Sequence, residues 1–210
     1  YNYAWTTANG SGLDATSKNQ SNLSAGTYTL TVTDLNDCTL INTFVLEEPD
    51  PVVVASSLSD FTGFNIKCNG ENNGAITITG VTGGFIGNTN VYTYSWTLPA
   101  GSTGSGLVAN VANQTGLTVG TYKLTVTDDN GCSTDFPFEL KEPPVIDFVG
   151  NMSNYNSFEV SIKGQSDGTI TIVPSGGAPD INGLYTYNWT SSTVGAVGLV
   201  NNDQNQDGLS

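Results

Sequence analysis

Any chemistry in this 210-residue chain must come from carboxylates, amides, hydroxyls and three thiols. There is no histidine, and the five basic residues, Lys18, Lys67, Lys123, Lys141 and Lys163, are all lysine. Acid–base catalysis would then need paired carboxylates or an activated serine. Glu71, Asp60 and Asp167 have no evident partner, so no catalytic or cofactor-binding residue is assigned and the chain is not expected to be an enzyme. The oxygen-rich turns offer a second chemistry. Asp34 and Asp37, Asp128 and Asp129, and Asn72 and Asn73 sit in turn-like stretches, and hard cations such as Ca²⁺ want clustered oxygen ligands. None of them follows a D-x-D-x-D-G ligand ladder, and turns use Asp and Asn for their own geometry. The four aspartates are weak calcium candidates, and no cofactor is required. The thiols, Cys38, Cys68 and Cys132, would bear on stability through disulfides in an oxidising compartment.

The charge balance narrows the partners. Nineteen acidic residues against five lysines leave a formal net charge of −14. A nucleic-acid binder needs basic residues to displace phosphate counterions, and an anionic membrane surface would repel this chain. No apolar run is long enough to span a bilayer, so neither nucleic acid nor membrane insertion is expected. Such acidity favours solubility outside the cell.

The elements that position these groups are β-strands. Gly120 to Cys132 reads GTYKLTVTDDNGC, with Tyr122, Leu124 and Val126 alternating with polar residues. A period of two is that of a half-buried strand. Asp128-Asp129-Asn130-Gly131 then supplies a hairpin turn. A near-copy, GTYTLTVTDLNDC, spans Gly26 to Cys38. Around them the pattern predicts strands at Val52–Ala55, with a continuation near Phe64–Lys67, at Ala75–Thr79 with Ile76 and Ile78 inward, and at Val91–Thr97 with Tyr92, Tyr94 and Trp96 inward. Short strands near Gly106–Val111, then Thr121–Thr127 and Ser133–Lys141, complete the set. Phe136, Phe138 and Leu140 face inward on the last, where Pro137 demands an edge or a bulge. About seven short strands in about 90 residues is the pattern of an immunoglobulin-like sandwich.

The pattern repeats. Trp5, Trp96 and Trp189 close three Y-x-Y-x-W strands at spacings of 91 and 93, and Gly26/Gly120, Cys38/Cys132, Glu48-Pro49/Glu142-Pro143 and Gly70/Gly164 all recur at 94. The expected fold is all-β: tandem immunoglobulin-like β-sandwich repeats with a period of about 94 residues. Residues 1–48 would be the C-terminal part of one repeat, 51–143 a complete repeat, and 145–210 the N-terminal part of a third. Tyr1-Asn2-Tyr3 lies inside a strand pattern, so a longer array is expected, with another G-x-Y-x-x-T-V-T-D strand soon after Ser210. Glu48-Pro49 and Glu142-Pro143 mark the junctions. Proline cannot extend a ladder and restricts its predecessor, and so short a linker favours stiff end-to-end stacking.

Together these residues resemble a known family. The pattern C-x-G-x-x-x-G-x-I (Cys68, Gly70, Gly74, Ile76), then Gly83-Gly84, then Tyr92, Tyr94 and Trp96, then Gly120, Tyr122, Asp128, Gly131 and Cys132, then Glu142-Pro143, resembles the SprB-type repeat. Such repeats build very large cell-surface adhesins of gliding Bacteroidetes, exported by the type IX secretion system. Two departures stand out: Ile162 occupies the place of Cys68 in the third copy, and Asp37 that of Gly131 in the first. The resemblance implies an extracellular, bacterial cell-surface location and a filamentous, adhesive role. It brings no catalytic residue.

The thiols and aromatics can then be weighed. In a sandwich, Cys68 falls in the turn before the second strand and Cys132 in the last hairpin, at opposite ends and beyond the ~7 Å Cα separation a bridge allows. Three alternatives stand: no bridge within this chain, a bridge across a repeat junction to cysteines outside it, or Cys68–Cys132. The stripe Tyr92, Tyr94, Trp96 could stack sugars, but three aromatics on one face of a central strand are more often core. Exposed loops at Thr82–Asn90 and Pro99–Gln114 are the better binding surfaces. The expected function is structural and adhesive, the stalk or filament of a cell-surface adhesin. Its partners would be neighbouring repeats of the same chain, laterally associating filaments, and surface polysaccharide or other cells. The alternatives are a carbohydrate-binding accessory module of a secreted protein, for which Phe85 would be a contact, and an accessory domain of a secreted hydrolase.

Overall fold

The computed structural model describes residues 1–87, 91–180, 182–192 and 197–210. The described residues form an all-β structure of twelve strands, with no helix among them. The strands are β1 (Asn2–Thr7), β2 (Gly26–Thr33), β3 (Thr39–Leu46), β4 (Val53–Leu58), β5 (Gly74–Thr82) and β6 (Thr93–Thr97). They continue with β7 (Gln114–Leu117), β8 (Gly120–Thr127), β9 (Ser133–Leu140), β10 (Asp147–Met152), β11 (Gly168–Ser175) and β12 (Gln206–Leu209). They make four antiparallel three-stranded sheets, ordered β1-β2-β3, β4-β5-β7, β6-β8-β9 and β10-β11-β12. Two compact units result: Tyr1–Val52 with Gly83–Phe85, and Val53–Thr82 with Ile86–Ser210.

Within the second unit, β4-β5-β7 and β6-β8-β9 form a sandwich. The strand order matches the two facing sheets of the immunoglobulin architecture. Central strand β8 carries the alternation through: Tyr122, Leu124 and Val126 are fully buried while their neighbours are half-exposed. Register sets Trp96 opposite Leu124 and Tyr122 opposite Phe138. Trp96 rests on Phe138 with ring centroids 5.5 Å apart, within the range where tilted aromatic pairs attract. The sheets meet where Gly74 of β5 lies against the side chains of Ile66 and Leu140. Of the other aromatic and aliphatic core candidates, Ile76 is buried, and Ile78, Tyr92, Tyr94 and Phe138 are half-buried. Pro137 lies in β9, an edge strand of its sheet, where a missing N–H is tolerated.

Three expected features differ. Phe64–Lys67 is not a strand. Phe61 and Phe64 form a single bridge around Thr62 and Gly63, both at positive φ, and the amides of Asn65 and Ile66 both go to the Lys141 carbonyl. Gly106–Val111 is not a strand either, because Gln114 takes up the backbone of Val108; the strand forms at Gln114–Leu117 instead. Among the described residues, 53–140 thus hold six strands rather than about seven. The turn after β8 has Gly131 at φ 81°, and the equivalent turn after β2 has Asp37 at φ 62°. Aspartate is among the few residues that adopt this left-handed conformation readily, so the Gly-to-Asp departure preserves the hairpin.

Candidate functional site: the strand-exit clasp

Where β9 ends, the chain is gripped on both sides within a few residues. Leu140 and Ile66 are both buried, and both side chains lie against Gly74. The Lys141 carbonyl accepts the N–H groups of Asn65 (2.8 Å) and Ile66 (3.0 Å), and the Lys141 N–H donates to Asn65 Oδ1 at 2.9 Å. Glu142 Oε2 accepts the Gly70 N–H at 2.7 Å. Pro143 is fully buried, and its carbonyl accepts Asn69 Nδ2 at 3.0 Å. One residue later the Pro144 carbonyl accepts the Gly177 N–H at 2.8 Å. Gly176 packs so tightly that a Cβ there would lie 1.9 Å from the Val145 carbonyl oxygen. The first unit has the same second grip: Gly84 N–H donates to the Asp50 carbonyl at 2.6 Å, and a Cβ on Gly83 would stand 1.9 Å from the Pro51 oxygen.

This explains why the junction residues and the glycine pairs accompany one another. Glu142 caps the 65–70 loop with a charge-assisted hydrogen bond, stronger than a neutral one. The Gly-Gly turn then admits the outgoing strand at backbone contact, which no side chain would allow. A groove of about 550 Å³ beside the clasp is lined by residues including Phe61, Lys67, Cys68, Pro144 and Ile146. Glu48 and Pro49 hold the corresponding places in the first unit and are exposed.

The stretch leading into β8, expected as an exposed loop, is mostly exposed and is tied to the core at a few points. Tyr122 Oη donates toward the carbonyls of Thr118 (2.8 Å) and Ser105 (3.0 Å), and accepts the Ser105 N–H at 3.1 Å. A tyrosine at the start of this strand bonding back four residues is the tyrosine corner of immunoglobulin-like sandwiches. Tyr28 does the same to Ser24 and Ser11. Trp96 Nε1 donates to Val111 O at 2.9 Å, and fully buried Gln114 bridges Val108 N and O. Gln206 repeats this on Val200. Sequence reasoning passed over these glutamines, although Asn113-Gln114 and Asn205-Gln206 share the tryptophan spacing closely enough to have drawn notice. In the 82–90 loop Phe85 is exposed; residues 88–90 lie outside the described residues.

The turn aspartates serve their own hairpins. Asp34 Oδ1 accepts the amides of Asn36 and Cys38, and Asp128 Oδ1 those of Asn130 and Cys132, at 2.8 to 3.0 Å. Asp37 and Asp129 are exposed in those turns. Among the described residues no group of three or more His, Cys, Asp or Glu is placed to hold a metal ion. The carboxylates of Asp60 and Asp167 are likewise bonded locally, to Gly63 N–H and to Ser161. Cys38, Cys68 and Cys132 are exposed free thiols. This removes the Cys68–Cys132 alternative; no bridge, and a bridge across a junction to cysteines outside the chain, both remain. All three should therefore react with a thiol reagent in native buffer; fewer than three equivalents would contradict this arrangement.

On the outer face of the β8–β9 pair, Asp135 accepts the Thr125 hydroxyl at 2.6 Å and Lys123 Nζ at 2.9 Å. The Thr125 hydrogen bond first, then Lys123, holds its carboxyl below the ordinary 3.8. A carboxyl depressed on folding contributes stability above its unfolded pKa, and that contribution is lost as pH falls through the folded value. The hairpin should loosen only below about pH 4. Carboxyl-carbon NMR titration should place the Asp135 midpoint below 3.8 and return it toward 3.8 in Thr125→Val. A native midpoint at or above the ordinary value would refute the assignment.

Sandwich sheets, a tyrosine corner and a clasped strand exit define an immunoglobulin-like β-sandwich repeat protein. Two segments, residues 64–101 and 163–194, match the SprB repeat family model. The first runs from the clasp loop through β5 and β6, and the second begins at the counterpart of that loop. Over these two segments the chain is similar to SprB repeats, a family found in cell-surface proteins. No curated protein matches the chain. Among the described residues no helix is long and apolar enough to cross a membrane.

Proposed function

We propose that the chain is part of an extracellular, non-enzymatic adhesin, and that its repeats act as the stalk or filament presenting adhesive surfaces away from a bacterial cell. The reading follows the SprB resemblance, which also suggests a gliding, type IX-secreting cell as the source. The observation that carries it is the clasp. Within the few residues from Leu140 to Val145 the chain is bonded first to the loop before β5 and then to the Gly176-Gly177 turn. A linker so held transmits tension from one sheet to the next through hydrogen bonds loaded along the chain. Neighbouring repeats are its first partners, and surface polysaccharide or another cell the class of target. Calcium has no role in this reading, since each turn aspartate that forms the hairpin already has backbone donors.

The test is electron microscopy of native material together with glycan arrays. Fibres with an axial repeat of about 40 Å, scaled from the ~13 Å radius of gyration of a 100-residue domain, are expected. Smooth globular particles would defeat the proposal. Glycan binding abolished by Phe85→Ala, in material without fibres, would favour a carbohydrate-binding module instead.

A further inference from the structure

In an Asn-Gly pair the glycine amide nitrogen can attack the asparagine side chain, because glycine has no Cβ to block the approach. One such pair, Asn69-Gly70, is built into the clasp. Both of its reacting groups are held by residues distant in sequence. Asn69 Nδ2 donates to the Pro143 carbonyl, 74 residues on, and the Gly70 N–H donates to the Glu142 carboxylate, 72 residues on.

Three features oppose the attack while the clasp is closed. The Cys68 carbonyl accepts the Glu71 N–H at 3.1 Å and Gly70 has φ 79°, a turn of the type II form, which sets ψ of Asn69 at about +120°. Closing a five-membered ring needs Gly70 N and Asn69 Cβ nearly eclipsed about the Cα–C bond, so the turn must first open. The hydrogen bond to Pro143, at 3.0 Å, fixes the carboxamide. The Glu142 carboxylate, 2.7 Å from Gly70 N, disfavours the amide anion that attacks, since a neighbouring negative charge and a hydrogen bond from the neutral form both oppose ionisation. Water is at hand throughout. Asn69 and Gly70 are exposed, and nothing lies within 4 Å of the place a Gly70 Cβ would take. Protection therefore comes from the clasp and not from burial.

We propose that Asn69 is a self-modification site gated by the clasp: an opened clasp lets Asn69 deamidate through a succinimide, and the product keeps the clasp open. Gly70 N bonds to Asn69 Cγ, the Cγ–Nδ2 bond breaks, and Nδ2 leaves as ammonia with the Gly70 proton. Water then opens the succinimide at either carbonyl, giving aspartate or isoaspartate. The product places a carboxylate where the closed clasp needs a donor to Pro143 O, and beside the carboxylate of Glu142. Acceptor then faces acceptor and like charges repel, so opening is recorded in covalent structure. The third copy has Lys163-Gly164 at this place and keeps no such record. The inference stands on the geometry of the clasp and does not depend on the adhesive reading.

Asn130-Gly131 is an internal reference. Its carboxamide has no hydrogen bond among the described residues, and its Gly131 N–H is bonded to a neutral backbone carbonyl, that of Asp128, at 3.1 Å. The 210-residue chain would be held at mildly alkaline pH, with Asn69 and Asn130 followed by peptide mass mapping and enzymatic isoaspartate labelling. In the folded wild type Asn130 should convert well before Asn69; in guanidinium the two should convert at similar rates. Glu142→Ala should raise the Asn69 rate, relative to Asn130, by about ten- to a hundredfold, the strength of a hydrogen bond to a charged group expressed as an opening constant. Glu142→Gln keeps an acceptor without its charge and should give a smaller rise in a chain whose fold is least disturbed. Asn69→Asp puts the product's carboxylate into the clasp and should quicken hydrogen exchange at the Ile66 N–H, whose acceptor is the Lys141 carbonyl. The proposal is overturned if Asn69 converts as fast as Asn130 in the folded wild type, if either Glu142 variant leaves the Asn69 rate unchanged or lowers it, or if Ile66 exchanges as slowly in Asn69→Asp as in the wild type.

Discussion

Tyr122→Ala is expected to destabilise the 53–140 sandwich by about 3–5 kcal/mol, the cost of removing a buried aromatic side chain. Tyr122 is 0% exposed on the central strand of its sheet. Its hydroxyl also ties the 105–118 stretch to the core through Thr118 and Ser105. Tyr122→Phe keeps the ring and removes only the hydroxyl; the Ser105 N–H still has Thr118 Oγ1 and the Ser105 carbonyl still has the Thr118 N–H, so the loss centres on the Thr118 carbonyl and costs about 1–3 kcal/mol. Urea unfolding would be followed by Trp96 emission in a background with Trp5 and Trp189 replaced by Phe. An alanine effect below about 1 kcal/mol, far under the usual aromatic-to-alanine cost, would show that this tyrosine does not hold the corner.

The second large effect is expected at the clasp. In Gly176→Ala the new methyl would stand 1.9 Å from a backbone oxygen, at φ 70°. Left-handed backbone at a non-glycine residue costs on the order of 1–3 kcal/mol, and the collision is with main chain that cannot rotate aside. The turn should open and break the bond from Gly177 N–H to Pro144 O. Hydrogen exchange at Gly177 should then quicken by about ten- to a hundredfold, the same energy expressed as an opening constant. Gly164→Ala is the control. Its φ is 88°, but nothing lies within 4 Å of the added methyl, so it carries the strain without the collision and should leave Gly177 protected. Equal exchange at Gly177 in both variants would refute the clasp.

Much of the fold was legible because a strand with one buried face writes itself into the chain as a period of two. GTYKLTVTD could be placed, faced and paired from that alone, and its copy at residue 26 announced a repeat. The strands that went wrong have a common cause. Phe64–Lys67 looks extended and apolar, but its amides are claimed by a carbonyl 75 residues or more away, at Lys141. Gly106–Val111 alternates well enough for a strand, but the side chain of Gln114 competes for its backbone. Local periodicity carries no information about such distant or side-chain acceptors. The junction was marked by Glu142-Pro143 and the Gly-Gly pairs separately; that one receives the strand the other releases is a fact of three-dimensional approach.

By itself the chain determined its class: all-β, repeating, acidic, without the histidines or arginines most site chemistry employs. These follow from composition and alternation, which act residue by residue. Only tertiary structure decided that the turn aspartates cap their own hairpins and that Cys68 and Cys132 are not bridged to one another. Burial depends on what is opposite, and a side chain's surroundings are made by residues far away along the chain.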